Sequence, residues 1–207
     1  MILTDLHMHS SFSADSEADP EGQILAALSA GLKTICFTDH IDYEFPDPTL
    51  HFDLELETYF DTLSRLAERY RGEIQVLIGV EMGLQPHLAD RIHETVSAWP
   101  FDFVIGSCHI VFGEDPYYET VWNRHPPEEV YRQYFKETLE NVRTNDDFDV
   151  LGHLDYVTRY GCRHPGGRND AVILENMPVI DEILSVLIQK GKGLEVNSAA
   201  LRQGLTN

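Results

Sequence analysis

Short apolar runs alternate with stretches of helical periodicity along the whole 207-residue chain, and this alternation constrains the fold most strongly. The runs are apolar almost continuously, which is typical of strands buried on both faces of a parallel sheet. They predict strands over Ile2–Met8, Thr34–Thr38, Ile74–Glu81, Phe103–His109, Val150–Leu154 and Gly193–Asn197. The pattern predicts one α/β domain over residues 1–207, either a (β/α) barrel or an open doubly wound sheet.

Two features of the chain refine this choice. No GxGxxG or GxxxxGK[ST] sequence follows any predicted strand, so an open sheet would lack the usual sign of nucleotide binding. A closed eight-unit barrel typically needs roughly 250 residues, which is more than this chain contains. Helix boundaries are marked in the sequence, for example by Asp19-Pro20-Glu21 at one start and Gly31 at the following end. Pro178 inside the last amphipathic stretch predicts a kinked or split helix.

Charge and cysteine content exclude several classes of function. The chain has 35 acidic and 15 basic residues and a formal net charge of −20, which argues against a nucleic-acid or anionic-membrane partner. No apolar run is long enough to span a bilayer, and the N-terminus has no secretory signal pattern. Three cysteines without CxxC spacing indicate a reduced, cytoplasmic protein rather than a disulfide scaffold.

Histidines and acidic residues recur where the predicted strands end. Alternate residues of a strand point to the same side, so His7 and His9 at the end of the first strand share one face. In a barrel of parallel strands, the carboxyl ends of the strands form the mouth where active sites are found. The other residues of this set are Asp15 on the first loop and His40, Glu81, His109 and His153 at later strand ends.

A single histidine at a strand end is most often a partly buried polar residue bonded to the backbone. Five imidazoles and a carboxylate at equivalent positions are different, because burying so many polar groups together is costly without a counter-ion. Imidazole and carboxylate ligands suit Zn, Mn or Fe better than Ca or Mg. The pattern therefore predicts a divalent metal site.

The motifs at these strand ends resemble those of the PHP (polymerase and histidinol phosphatase) superfamily, in particular its short histidinol-phosphate phosphatase branch. The matching segments are His7-x-His9, Thr38-Asp39-His40, Gly79-Val80-Glu81, Ser107-Cys108-His109 and Gly152-His153-Leu154-Asp155. HxH alone is a weak signal, whereas the combination covers essentially the whole chain and is highly specific. The resemblance implies a distorted (β/α)7 barrel with three divalent metals that hydrolyses L-histidinol phosphate in histidine biosynthesis.

The resemblance also implies which residues hold the metals. His7, His9 and Glu81 would bind the first ion, and Glu81 would bridge to a second ion bound by His109 and His153. Asp15 and His40 would bind the third ion. Glu81, His109 and His153 would lie closest to the reaction. The family pattern also has a late Asp-x-His motif that completes the first and third sites, and this sequence contains no such motif after His164. The resemblance therefore predicts a (β/α)7 barrel that would be C-terminally incomplete.

Phosphate monoesters also require fixed cations. Arg159 on the fifth βα loop and Arg202 just after the sixth strand resemble phosphate-contacting arginines of the phosphatase branch. A solvated surface arginine is the plain alternative for each. The acidic and aromatic segment Phe112–Asn123 is expected to form a long loop over the barrel mouth, either recognising the cationic amine of the substrate or serving only as a lid.

Three functions are therefore compared. The favoured one is a metal-dependent phosphomonoesterase acting on a small-molecule substrate, L-histidinol phosphate. A PHP-type phosphodiesterase or exonuclease would fit the metal site, but the net charge of −20 argues against it. A non-catalytic metal- or phosphate-binding remnant is the third, because the late Asp-x-His motif is absent. The sequence does not specify the oligomeric state.

Overall fold

A computed structural model describes residues 3–165 and 170–198 of the chain. Its contacts divide the chain into two compact units. Unit 1 comprises Met1–Gly83 and Glu94–Ile105, and unit 2 comprises Leu84–His93 and Gly106–Asn207. The single domain over residues 1–207 stays a prediction.

Strands and helices mostly alternate as the sequence predicts, although two consecutive strands and two pairs of consecutive helices interrupt the alternation. The strands are β1 (Thr4–Met8), β2 (Thr34–Phe37), β3 (His40–Ile41), β4 (Gln75–Gly83), β5 (Phe103–Ser107), β6 (Val150–Leu151) and β7 (Gly193–Leu194). The helices are α1 (Pro20–Ser29), α2 (Leu56–Arg69), α3 (Ala89–Ala98), α4 (Glu119–Arg124), α5 (Pro127–Thr144), α6 (Tyr156–Gly161) and α7 (Asp170–Lys190), with a short 3₁₀ helix at Pro86–Leu88. None of the helices in the described part is long and apolar enough to cross a membrane.

In unit 1 the strand order is β1-β2-β4-β5, and β3 pairs with β4. The pairs β1–β2, β2–β4 and β3–β4 are all parallel. One core packs α1 and α2 against the sheet and includes Ile24, Phe37, Tyr59, Leu63 and Val76. Helix α1 begins as predicted, because Asp19 accepts a hydrogen bond from the N–H of Gly22 at 2.8 Å and Pro20 needs no donor partner there.

In unit 2 the strand order is β5-β6-β7, and β6 and β7 pair in parallel. Helix α5 buries residues at a spacing of three and four, from Val130 to Val142, and it packs against α7. Helix α7 is one continuous helix with Pro178 inside it, so the predicted split does not occur. Helix α7 also packs against β7.

Several predicted strands are shorter than expected at the end that carries a histidine. His40 lies in the separate strand β3, whereas His109 and His153 lie beyond the ends of β5 and β6. The backbone N–H of His153 donates to the carboxylate of Glu195 at 2.7 Å, so this donor is not available to continue the sheet ladder. These three histidines nevertheless still follow the ends of β2, β5 and β6.

Candidate metal centre

In unit 1, three imidazoles converge on one carboxylate oxygen. Glu81 is fully buried on β4, and its Oε2 lies 3.1 Å from Nε2 of His7 and 3.0 Å from Nε2 of His9. Nε2 of His40 lies 3.3 Å from the same oxygen. Strand pairing accounts for part of this geometry, because His40 and Glu81 are partners across the parallel pair β3–β4. His7 and His9 reach the same place since they are two residues apart at the end of β1.

Asp15 extends this group from the loop after β1. Its Oδ2 lies 2.8 Å from Nδ1 of His9 and 3.7 Å from Nε2 of His40. Unit 1 thus holds two groups whose donor atoms lie within 4.8 Å of one another: His7, His9 and Glu81, and His9, Asp15 and His40. The resemblance assigns His9 only to the first ion, whereas in the structure its ring lies between the two groups.

The electrostatics of the cluster favour a cation. Burial alone would lower the pKa of His9, but hydrogen bonds with Asp15 and Glu81 and the charges of both carboxylates raise that pKa to about 10. Burial likewise opposes ionisation of Asp15, yet the hydrogen bond with His9 and the positive charges of His40 and His9 hold the pKa of Asp15 below its usual value. The two carboxylates thus attract positive charge to the space between the rings.

The donor set fits a divalent metal. Nε2 of His7 and Nε2 of His9 lie 3.1 Å apart, and two imidazole nitrogens this close require a shared proton or a cation between them. Nitrogen and carboxylate oxygen donors are the ligands of zinc and related transition metals. Asp42 supplies the expected outer support, because its Oδ2 lies 2.9 Å from Nδ1 of His40 and leaves Nε2 facing the cluster.

In unit 2, the other two predicted metal residues lie together. His109 and His153 are both buried, and their ring centroids are 5.4 Å apart. The ring of Tyr156 contacts both, at 5.3 Å from His109 and 5.1 Å from His153. Burial, and after it the negative charge of Asp115, raises the pKa of Tyr156 well above its usual value. The tyrosine therefore stays neutral and donates to Asp115 Oδ1 at 3.0 Å.

Arg159 lies next to this cluster, although on helix α6 and not on the loop that the sequence predicted. Its guanidinium carbon lies 5.5 Å from the centroid of the Tyr156 ring. The atoms Nε and Nη2 are buried without a hydrogen-bond partner in the described part of the chain. A buried guanidinium with unused donors is costly by itself and is suited to an incoming anion. Arg202 lies outside the described residues.

The sequence did not identify every residue of these groups. Asp42 follows His40 by two residues, so the period of a strand could have placed both side chains on one face. Glu195 and Tyr156 gave no such signal. The predicted loop over the mouth is partly helical, since α4 occupies Glu119–Arg124 and the Trp122 indole N–H donates to the carbonyl of Pro116 at 2.8 Å. This bond fixes the segment locally.

Parallel β/α units with histidines and carboxylates just after or near the strand ends define a protein of the (β/α) class with a candidate metal centre. The PHP domain model matches residues 5–199. The chain therefore belongs to the PHP family, and its fold is the PHP (β/α) barrel fold.

Relatives of known or assigned function agree with this family. The histidinol-phosphatase of Lactococcus lactis is 37% identical over 199 residues, which are 96% of this chain and 72% of the relative. The crystal structure of that protein with zinc, L-histidinol and phosphate matches with a TM-score of 0.86 at 36% identity, over 94% of this chain and 73% of the other.

Two further proteins are similar. A probable histidinol-phosphatase of Clostridium acetobutylicum is 32% identical over 98% of this chain and 75% of its own length. The structure of a putative histidinol phosphatase of Listeria monocytogenes matches with a TM-score of 0.79 over 98% of this chain and 85% of that chain. At 17% identity, this second structure supports the fold alone.

Proposed function

We propose that this protein is a metal-dependent phosphomonoesterase that hydrolyses L-histidinol phosphate to L-histidinol and phosphate, a step of histidine biosynthesis. The observation that carries the proposal is the convergence of His7, His9 and His40 on the buried carboxylate of Glu81. The substrate follows from the similarity to histidinol-phosphatases, including one whose structure holds L-histidinol and phosphate.

The residues of unit 1 would hold divalent ions in two neighbouring positions. His7, His9 and Glu81 would bind one ion, and Asp15 and His40 would bind another, with His9 close to both. The expected ions are Zn, Mn or Fe, three in all, as the family resemblance implies. A divalent ion bound by such ligands lowers the pKa of coordinated water and neutralises charge on phosphoryl oxygens.

His109 and His153 are proposed as the ligands that unit 2 contributes. They lie close to each other, and Tyr156 packs against both rings and limits their rotation. A bridging role of Glu81 toward the ion of these two histidines stays a prediction. With Glu81, they are the residues that we expect closest to the reacting phosphoryl group.

Arg159 is proposed to bind the substrate phosphate, because its unpartnered donors can form charge-assisted bonds with phosphoryl oxygens. We expect Arg159→Met to raise KM about tenfold or more, since a charged hydrogen bond contributes about 1.5–3 kcal/mol. Arg163→Met is the matched control, because Arg163 is exposed and contacts the ring of Tyr160 instead. Equal KM values for the two variants would contradict this role. The same role for Arg202 stays a prediction.

The experiment for the function measures phosphate release from L-histidinol phosphate by protein that has been stripped of metal and then reloaded with Mn²⁺ or Zn²⁺. A phosphodiester, bis(p-nitrophenyl) phosphate, serves as the comparison substrate. We expect chelation to abolish monoester turnover, reloading to restore it, and the diester to react poorly.

Preference for the diester would instead support a phosphodiesterase of the same family. Metal binding without turnover of either substrate would support a non-catalytic binding protein. The cytoplasmic location that the cysteine pattern suggests stays a prediction.

A further inference from the structure

Asp39 is a fully buried carboxylate whose two oxygens are both engaged by one neighbouring residue. Oδ1 accepts a hydrogen bond from the backbone N–H of Ser10 at 2.6 Å, and Oδ2 accepts one from the Ser10 hydroxyl at 2.9 Å. Ser10 is itself fully buried and directly follows His9. A carboxylate is buried at a high cost unless it is hydrogen-bonded, so this paired contact holds the chain after β1 firmly.

The main chain around Asp39 reaches two further residues of the metal centre. The carbonyl oxygen of Asp39 accepts a hydrogen bond from the N–H of Glu81 at 3.1 Å. The next residue, His40, donates its own N–H to the hydroxyl of Ser13 at 2.7 Å. One residue thus connects the segments that carry His9, His40 and Glu81.

Asp39 is not itself in either donor group of unit 1. A neighbouring tyrosine, Tyr59, is fully buried and donates its hydroxyl to the carbonyl of Gly79 at 3.0 Å. Burial, and after it the charge of Asp39, raises the pKa of Tyr59 well above its usual value, so this hydroxyl remains a neutral donor. Asp39 thus lies among buried, hydrogen-bonded side chains.

We propose that Asp39 is a positioning residue of the metal centre, whose carboxylate sets the spacing of His9 and His40 by holding the chain after His9 against the residue before His40. Its main-chain carbonyl, whose bond any residue at this position would form, links the same segment to Glu81. The proposal rests on the metal site of the proposed function. It differs from the support that Asp42 gives, because Asp42 contacts an imidazole directly whereas Asp39 acts through Ser10 and through its own main chain.

The test compares the zinc affinity of metal-free protein and variants by competition with a chromophoric chelator. Asp39→Asn places an amide donor against one of the two Ser10 donors, and Ser10→Ala removes one bond while keeping the charge of Asp39. Asp102→Asn is the matched control: the carboxylate of Asp102 also accepts a backbone N–H in unit 1, that of Ile78 at 2.9 Å. Thermal unfolding of each metal-free protein measures the loss of stability separately.

We expect Asp39→Asn to weaken zinc binding about tenfold or more, in line with substitutions behind metal ligands. Ser10→Ala should weaken it by a smaller factor, and the double variant should bind as Asp39→Asn does, because both changes break one linkage. Asp102→Asn should leave the affinity unchanged even where it lowers stability. The absorption spectrum of the cobalt-loaded protein should change with Asp39→Asn and not with Asp102→Asn.

Two results would overturn the positioning role alone. One is unchanged zinc affinity in Asp39→Asn. The other is weakened zinc binding in Asp39→Asn together with unchanged binding in Ser10→Ala, because the effect would then come from the negative charge of Asp39 and not from its bonds to Ser10. Should Asp39→Asn fail to fold, unchanged zinc affinity in Ser10→Ala overturns the role by itself. Absence of zinc binding by the unsubstituted protein would refute the metal site of the proposed function, and this inference with it.

Discussion

Replacement of Glu81 by glutamine perturbs the metal centre with the least change in packing. The side chain is fully buried, and its Oε2 is the atom that His7, His9 and His40 all approach within 3.3 Å. Glutamine keeps the volume but removes the charge and leaves one oxygen acceptor in place of two. Changes behind a metal ligand already weaken binding about 10- to 100-fold, so loss of Glu81 as the proposed central ligand should weaken binding about a hundredfold or more.

The size of the effect on stability follows from ligand linkage. At a metal concentration of about 100 times Kd, binding stabilises the folded protein by about 2.7 kcal/mol. A hundredfold weaker Kd at the same concentration leaves about 0.4 kcal/mol, a loss of about 2.3 kcal/mol. For a chain of this length, about 2–4 °C per kcal/mol converts the loss into a Tm lower by about 5–9 °C.

The assay is thermal unfolding with and without zinc, together with metal content after gel filtration. Glu73→Gln is the matched control, because Glu73 is exposed just before the same strand. We expect Glu81→Gln to lose most of the zinc-induced rise in Tm while Glu73→Gln keeps it. An equal rise and equal metal content in both variants would refute the assignment of Glu81 as a ligand.

Three further predictions concern the support of His40, the packing of β4 and the effect of metal on stability. Asp42→Asn should weaken zinc affinity about 10- to 100-fold in a chelator competition, since the carboxylate of Asp42 orients the ring of His40. Equal zinc affinity of the variant and the unsubstituted protein would contradict this orienting role. Gly79→Ala should lower the free energy of unfolding by about 1–3 kcal/mol in urea denaturation, because a Cβ there would meet the carbonyl of Phe103 at 2.5 Å. Gly31→Ala is the comparison without a steric clash, because a Cβ built at Gly31 meets no atom within 4 Å. It should lower the free energy of unfolding by only the roughly 1–2 kcal/mol that a positive φ costs. Chelation should lower the Tm of the unsubstituted protein, and zinc should restore it.

Much of the fold could be predicted because its signals are local. Apolar runs predicted six of the seven strands in the described part of the chain and missed β3, and Asp19-Pro20 predicted the start of α1 to the residue. The ends of strands were predicted less well, because a side chain can bind a backbone N–H that would otherwise pair with the neighbouring strand. His153 illustrates this: its N–H bonds Glu195, which lies 42 residues later in the sequence. No local pattern reports such a contact.

The proximity of the candidate metal ligands in unit 1 could be predicted for a similar reason. Equivalent strand ends of a parallel sheet lie at one edge, so His7, His9 and Glu81 were expected on the same edge once the strands were recognised. The supporting residues were harder to identify. The link from Asp39 to Ser10 joins residues 29 positions apart, and Tyr156 meets His109 only through the packing of a short helix.

The most direct test of the metal centre is the anomalous diffraction of crystals grown with zinc. We expect a peak about 2.0–2.2 Å from Nε2 of His7, Nε2 of His9 and a carboxylate oxygen of Glu81, which are ordinary zinc–ligand distances. The absence of any peak between these three side chains, in a protein that still releases phosphate from L-histidinol phosphate, would contradict the account.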